Sequence, residues 1–168
     1  MPLDDNLFKV SPSEYGETYQ AHLLEQYKLF VESADRISQR RQQANNFFLT
    51  LNTALLAVLG NILSRSAQLS AVWWFFPVAA VGLVLCYVWY RLVLSYKRLN
   101  AGKFEVIHAI EKKLPVALFD SEWRQIGKGK DPKKYKPFSE IETWIPWVFM
   151  ALYGVLIVTV VIQGWCLE

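Results

Sequence analysis

Eight side chains between Trp123 and Lys136 have the types and spacing to hold a phosphorylated ligand: Trp123, Arg124, Lys128, Lys130, Lys133, Lys134, Tyr135 and Lys136. Cationic groups neutralise phosphates, and an indole or phenol ring offers a face on which a nucleobase can stack. Most of them fall in GKGKDPKKYKP, a run rich in turn formers and lysine that reads as a loop. The same lysines would also hold a loop against an anionic leaflet, at about 1 kcal/mol per residue. The residues themselves leave both readings open.

A second set carries no charge. In the stretch from Arg40 to Ser64 two arginines and two glutamines stop abruptly and an apolar segment begins. At about 100° per residue, Asn46, Thr50, Thr53, Ala57, Gly60, Asn61 and Ser64 gather on one side of a helix. Asn52 is counted with them. Phe47, Phe48, Leu51, Leu55, Val58, Leu59 and Ile62 gather on the other side, which is expected to meet lipid at Leu51 and Leu55. A small, polar face on a span needs protein or water against it. Helix packing would satisfy it, each cross-helix hydrogen bond contributing roughly 0.6–2 kcal/mol. So would a narrow water path lined by several copies. The two are compatible, because a helix in a ring shows one flank to its neighbour and another to the lumen.

Other chemistry is missing from the pattern. His22 and His108 stand alone, and no His/Glu spacing suits a metal. No Ser/His/Asp set can be assembled, and Gly127-Lys128-Gly129-Lys130 lacks the spacing and the following Ser or Thr of a phosphate loop. Cys86 and Cys166 form no CxxC or Cys/His pattern and read as two structural thiols. The expectation is therefore no enzyme, no cofactor and no metal. The first span also lacks an ionisable residue in its core, which argues against a proton pump or coupled transporter but not against a simple pore.

The elements that must position these residues are helices. The chain has 168 residues, 53% hydrophobic and 20% charged, with 7 Trp, 8 Tyr and 10 Phe. That is too apolar for an ordinary soluble domain unless the apolar residues are segregated into spans. Ser11-Pro12-Ser13-Glu14 predicts a helix start, and Tyr15, Tyr19, Leu23, Tyr27, Phe30, Ala34 and Ile37 follow at helical spacing. Between Glu17 and Leu59 there is neither Gly nor Pro. One helix of roughly 60–70 Å is expected to begin in water and run into the membrane. A second span runs from about Val72 to Tyr90, with tryptophan at both ends and Arg91 closing it. It is expected to continue through Leu99, Val106, Ile107, Ile110 and Leu114, packing stripe against stripe on the wet half of the first helix. Trp144 to Trp165 makes a third span with Pro146 in its first turn.

The expected organisation is all-α: a cytoplasmic N-terminal helix (1–43), a two-span hairpin (44–90), a cytoplasmic helix and basic loop (91–142), and a third span (143–168), around a cytoplasmic helical bundle. Nothing in MPLDDNLFKV resembles a secretory signal. Of 18 Lys and Arg, six precede Ala71 and twelve lie between Arg91 and Lys136. The positive-inside rule then puts the N-terminus in the cytoplasm and the C-terminus outside.

Two blocks, QYKLFVESADRISQRRQQANNFFLTLNTALL and LPVALFDSEWRQIGKGKDPKKYKPFSEIETWIP, together with the long helix running into the membrane, resemble the small helical membrane effectors of bacterial anti-phage defence. These include the SLATT-type proteins and the HalB-like effectors of Hailong systems. Three spans exceed the two of typical SLATT proteins. The resemblance implies a homo-oligomer, four copies being expected, in the bacterial inner membrane. It also implies a pore that disrupts the membrane on infection, controlled by a nucleotide or single-stranded oligonucleotide from a partner nucleotidyltransferase. The competing class is a non-conducting anchor that docks a cytoplasmic partner.

Overall fold

The computed structural model describes residues 7–64, 69–129 and 138–165, and all the regular structure among them is helical. Helix α1 spans Pro12–Tyr15, α2 Tyr19–Ser64, α3 Leu69–Glu111, α4 Leu118–Gln125 and α5 Phe138–Trp165, with a 3-10 turn at Gly127–Gly129. Three of them, within Tyr19–Ser64, Trp74–Glu111 and Ile141–Gln163, are long and apolar enough to cross a membrane. The fold is an all-α membrane fold.

The N-terminal helix start is where expected, but the helix is not. Ser11 caps α1, its hydroxyl accepting from the Glu14 amide at 3.3 Å, and Pro12 follows at the first position. Gly16, at φ +91°, ends α1 after one turn, and α2 begins afresh at Tyr19. The expected single helix therefore starts eight residues later than Ser11, because a glycine in a left-handed conformation breaks it. From Tyr19 to Leu59 the absence of Gly and Pro favours an unbroken α2, which continues through Gly60 to Ser64. Helix α3 ends at Glu111, where the Lys113 and Leu114 amides fold back onto the Ile110 and Glu111 carbonyls just before Pro115. Helix α5 begins at Phe138, so Pro146 lies deeper inside it than its expected first turn.

The chain forms two compact units: Met1–Arg40 with Tyr96–Pro137, and Arg41–Ser95 with Phe138–Glu168. In the first, Leu23 and Ala34 of α2 and Ile107, Ala109 and Ile110 of α3 are buried. Leu99, expected in that stripe, is 47% exposed. Lys103 closes the packing from above, its ammonium 4.4 Å from the Phe30 ring centre and 2.7 Å from the Ser33 hydroxyl.

The second unit is the apolar one. Leu59 of α2, Phe75, Ala79 and Cys86 of α3, and Tyr153 and Val160 of α5 form its core. A second cluster stacks Phe48 on Trp89 at 5.9 Å, with Val93 beside them. With Leu56, Ile62 and Leu63 packed beside it, the seam that α2 turns inward in this unit runs along Arg41, Asn45, Phe48, Asn52, Leu55 and Leu59. Their alternating four- and three-residue spacing is that of a helix packed lengthwise on its neighbours. This corrects one expectation: the greasy face of the first span is not wholly a lipid face, since Phe47 and Val58 are exposed but the residues between them and α3 and α5 are not. Leu55 packs against the core, and Leu59 is fully buried within the protomer.

Candidate functional site: the two faces of the first span

The inward seam of α2 is polar at three of its positions, and each polar residue finds a partner on another helix. Arg41 meets Glu142 of α5, Nε to Oε2 at 3.3 Å, with both side chains less than one-fifth exposed. Asn45 Oδ1 accepts from the Trp89 indole of α3 at 2.8 Å. Asn52, fully buried, binds both neighbours at once: its Oδ1 accepts from the Tyr153 hydroxyl at 3.1 Å and the Cys86 thiol at 3.2 Å. Its Nδ2 donates to the Phe48 carbonyl at 2.9 Å. In a hydrocarbon surrounding, the Asn45 and Asn52 hydrogen bonds and the Arg41–Glu142 charge contact, which lacks hydrogen-bond geometry, select one register of three otherwise greasy helices. Asn52 thus stands on the packing side of the set predicted from sequence.

Tyr153 reaches Asn52 only because α3 has no side chain in its way. A Cβ placed on Gly82 would lie 2.3 Å from Tyr153 Cζ and 2.5 Å from its Cε1. Sequence reasoning passed over Gly82, Cys86 and Tyr153 as parts of a site. A lone glycine inside the second span was the signal available for close approach of another helix.

The opposite face is open. Asn46, Thr50, Thr53, Ala57, Gly60, Asn61 and Ser64 are all exposed in the protomer. Around Gly60 nothing lies within 4 Å of where a Cβ would stand. Thr53 donates to the Leu49 carbonyl at 2.8 Å and Ser64 to the Asn61 carbonyl at 2.9 Å, so these hydroxyl protons are held by their own helix. What these two hydroxyls turn outward is oxygen lone pairs. The Asn46 and Asn61 amides make no hydrogen bond to any described residue. A span that buries Leu59 and exposes Thr53 inverts the arrangement that lipid favours.

The expected anion set is only partly within the described residues. Trp123 is half-buried on α4, Arg124 is exposed and paired with Asp120 at 2.5 Å, and Lys128 is exposed in the 3-10 turn at φ 55°. Lys130, Lys133, Lys134, Tyr135 and Lys136 lie outside the described residues. What fixes α4 is Glu111, a residue the sequence did not single out. Its buried carboxylate accepts from the Tyr27 hydroxyl and from the Phe119 and Asp120 amides, each at 2.9 Å. Three donors satisfy the charge and cap the first turn of α4 from another helix. Burial, helped by the Glu111 carboxylate, pushes the Tyr27 phenol up to about 12. Glu111→Ala leaves those donors unpaired and is expected to destabilise this unit by about 2 kcal/mol. Amide hydrogen exchange at Phe119 and Asp120 is expected to accelerate in that variant; unchanged protection there would remove the capping role. Among the described residues no cluster of three or more His, Cys, Asp or Glu is placed to hold a metal ion.

Residues 24–162 match the model of a family described as the octameric membrane protein family. No curated protein and no solved structure matches the chain. The match supports a small oligomeric membrane protein; it does not extend to the SLATT-type or Hailong families.

Proposed function

The chain belongs to the octameric membrane protein family, and from that premise we propose that its copies assemble in the bilayer with the open faces of α2 turned toward one another, enclosing a hydrated path for ions. The family's description favours eight copies over the four expected from sequence. The observation that carries the reading is the inversion just described. Within one protomer Phe48, Leu55 and Leu59 of α2 are taken up by packing, and the side bearing Asn46, Thr50, Thr53, Ala57, Gly60 and Asn61, with Phe47, Leu49 and Val58 at its edges, is left over. Neighbouring copies, or water held between them, give that side the polar contacts that lipid does not.

In this proposal the assembly acts by conduction and not by catalysis. It sits in the bacterial inner membrane with the N-terminus and the basic Arg91–Glu142 segment in the cytoplasm. Control by an anionic nucleotide or oligonucleotide, the anti-phage reading, acts on the segment carrying Trp123, Arg124, Lys128 and the lysines beyond it. Charge reversal at Lys133, Lys134 and Lys136 is expected to weaken binding of a phosphate-rich ligand more at low salt than at high. Trp123→Ala is expected to weaken it with little salt dependence, because stacking is not screened. Normal binding by all of these variants would leave the loop no ligand role.

Flux of monovalent ions from liposomes containing the purified full-length protein tests the function itself. Flux above that of empty liposomes is expected. Silence with and without added nucleotides would leave the anchor reading in its place.

A further inference from the structure

We propose that the membrane edge of α3 carries a binding site for the headgroup phosphate of an anionic glycerophospholipid, centred on Arg91. This site is independent of the conducting path. Arg91 closes the apolar run of the second span. At about 100° per residue it stands roughly 150° around α3 from the core seam of Phe75, Ala79, Cys86, Trp89 and Val93, and it is exposed. Its guanidinium is not loose. Nη1 donates to the Tyr87 hydroxyl at 3.0 Å, and the group lies 5.9 Å from the Tyr87 ring centre. That leaves the remaining N–H groups of the planar guanidinium for another acceptor, in the fork that suits a phosphate. Among the described residues no carboxylate pairs with Arg91, whereas Arg41 of the same unit meets Glu142.

The surroundings choose a lipid over a soluble phosphate. On the membrane side of Arg91, Val84, Tyr87 and Val88 are 62%, 53% and 45% exposed, an apolar strip along which an acyl chain can lie. To one flank, Tyr90 packs edge-on against Trp147 at 5.4 Å, and Trp144, one turn earlier on α5, is 69% exposed. Indole and phenol rings at this level sit where headgroups meet hydrocarbon. One ligand satisfies the guanidinium, the ring flank and the apolar strip together: an anionic phospholipid with its phosphate on Arg91 and a chain along Val84 and Val88. A free phosphate meets only the first.

The test is native mass spectrometry of the full-length protein, released from detergent after exchange into phosphatidylglycerol or phosphatidylcholine with matched chains. The same spectra report the number of copies. The wild type is expected to retain phosphatidylglycerol preferentially. Arg91→Gln is expected to lower that retention about tenfold, the scale of losing charge-assisted hydrogen bonds. Arg91→Lys keeps a point charge without the fork and should fall between. Retention by Arg91→Gln equal to the wild type, or equal retention of the two lipids, overturns the proposal. So does displacement of the lipid by millimolar inorganic phosphate, which would make this a free-phosphate site. A change in copy number on Arg91→Gln or Arg91→Lys would instead make Arg91 a contact between copies, and that too overturns it.

Discussion

Gly82→Leu is expected to unfold the three-helix unit at temperatures the wild type tolerates easily. Even the first atom of a side chain at this position falls 2.3 Å from Tyr153 Cζ. The ring cannot swing away without loss, because Tyr153 is fully buried and its hydroxyl is bonded to Asn52, at 3.1 Å to Oδ1 and 3.3 Å to the carbonyl. Either α3 moves off α5, opening the core around Leu59 and Cys86, or the ring leaves and Asn52 keeps a buried acceptor with fewer donors. Overpacking of this kind costs about 3 kcal/mol, which for a chain of this size lowers the melting temperature by roughly 6–12 °C. The readout is reactivity of the buried Cys86 thiol during heating, in a Cys166→Ser background. Adding Tyr153→Ala should restore part of the loss by making room, although Tyr153→Ala alone destabilises. A Gly82→Leu protein that melts with the wild type would mean that the two helices do not approach here.

The second large effect concerns conduction. Thr53→Leu should reduce liposome flux about tenfold or more, because a ring of bulky apolar side chains in a narrow lumen expels water. The variant also removes a hydroxyl whose proton is already spent on Leu49, so what the path loses is an acceptor oxygen and space. Val158→Leu is the matched control: it enlarges a side chain that is 56% exposed on α5, which the proposal leaves to lipid, and flux should be unchanged. Leu55 does not serve as that control, since it packs against the core. Thr53→Leu with wild-type flux and wild-type copy number would move the path to another helix.

The three spans were legible because their cause is local. Uncharged apolar runs, the first opening after Arg40 and Arg41 and the other two bounded by Trp73, Trp74, Trp89, Tyr90, Trp144 and Trp165, declare themselves without knowledge of any partner. The small polar face of α2 was legible for the same reason, since helical periodicity alone assembles it. What that face does not reveal is which side of the helix the protomer itself covers. That depends on Cys86 and Tyr153, 34 and 101 residues from Asn52, and no periodicity within one helix encodes such distances. The apolar side was therefore assigned to lipid, although Leu55 and Leu59 belong to the core. Glu111 was illegible in a similar way, because two of its three donors are the backbone amides of a helix that starts seven residues later. The break at Gly16 was local yet missed: the cap at Ser11 and the spacing of Tyr15, Tyr19 and Leu23 both favoured a continuous helix. Only the backbone conformation distinguishes a glycine within a helix from one that ends it.

Cysteine accessibility tests most directly whether the open face of α2 looks into a hydrated interior of the assembly. Thr53→Cys is placed in a chain where Cys86→Ser preserves a donor to Asn52 and Cys166→Ser removes the other thiol. In liposomes the new thiol is expected to react with a small, charged, membrane-impermeant thiosulfonate, and flux should fall as it reacts. A cysteine at Val158 should ignore that reagent and react only with a lipid-soluble maleimide. If Thr53→Cys behaves like the Val158 position, inert to the charged reagent and open to the lipid-soluble one, then the polar face of α2 looks at lipid and the account is contradicted.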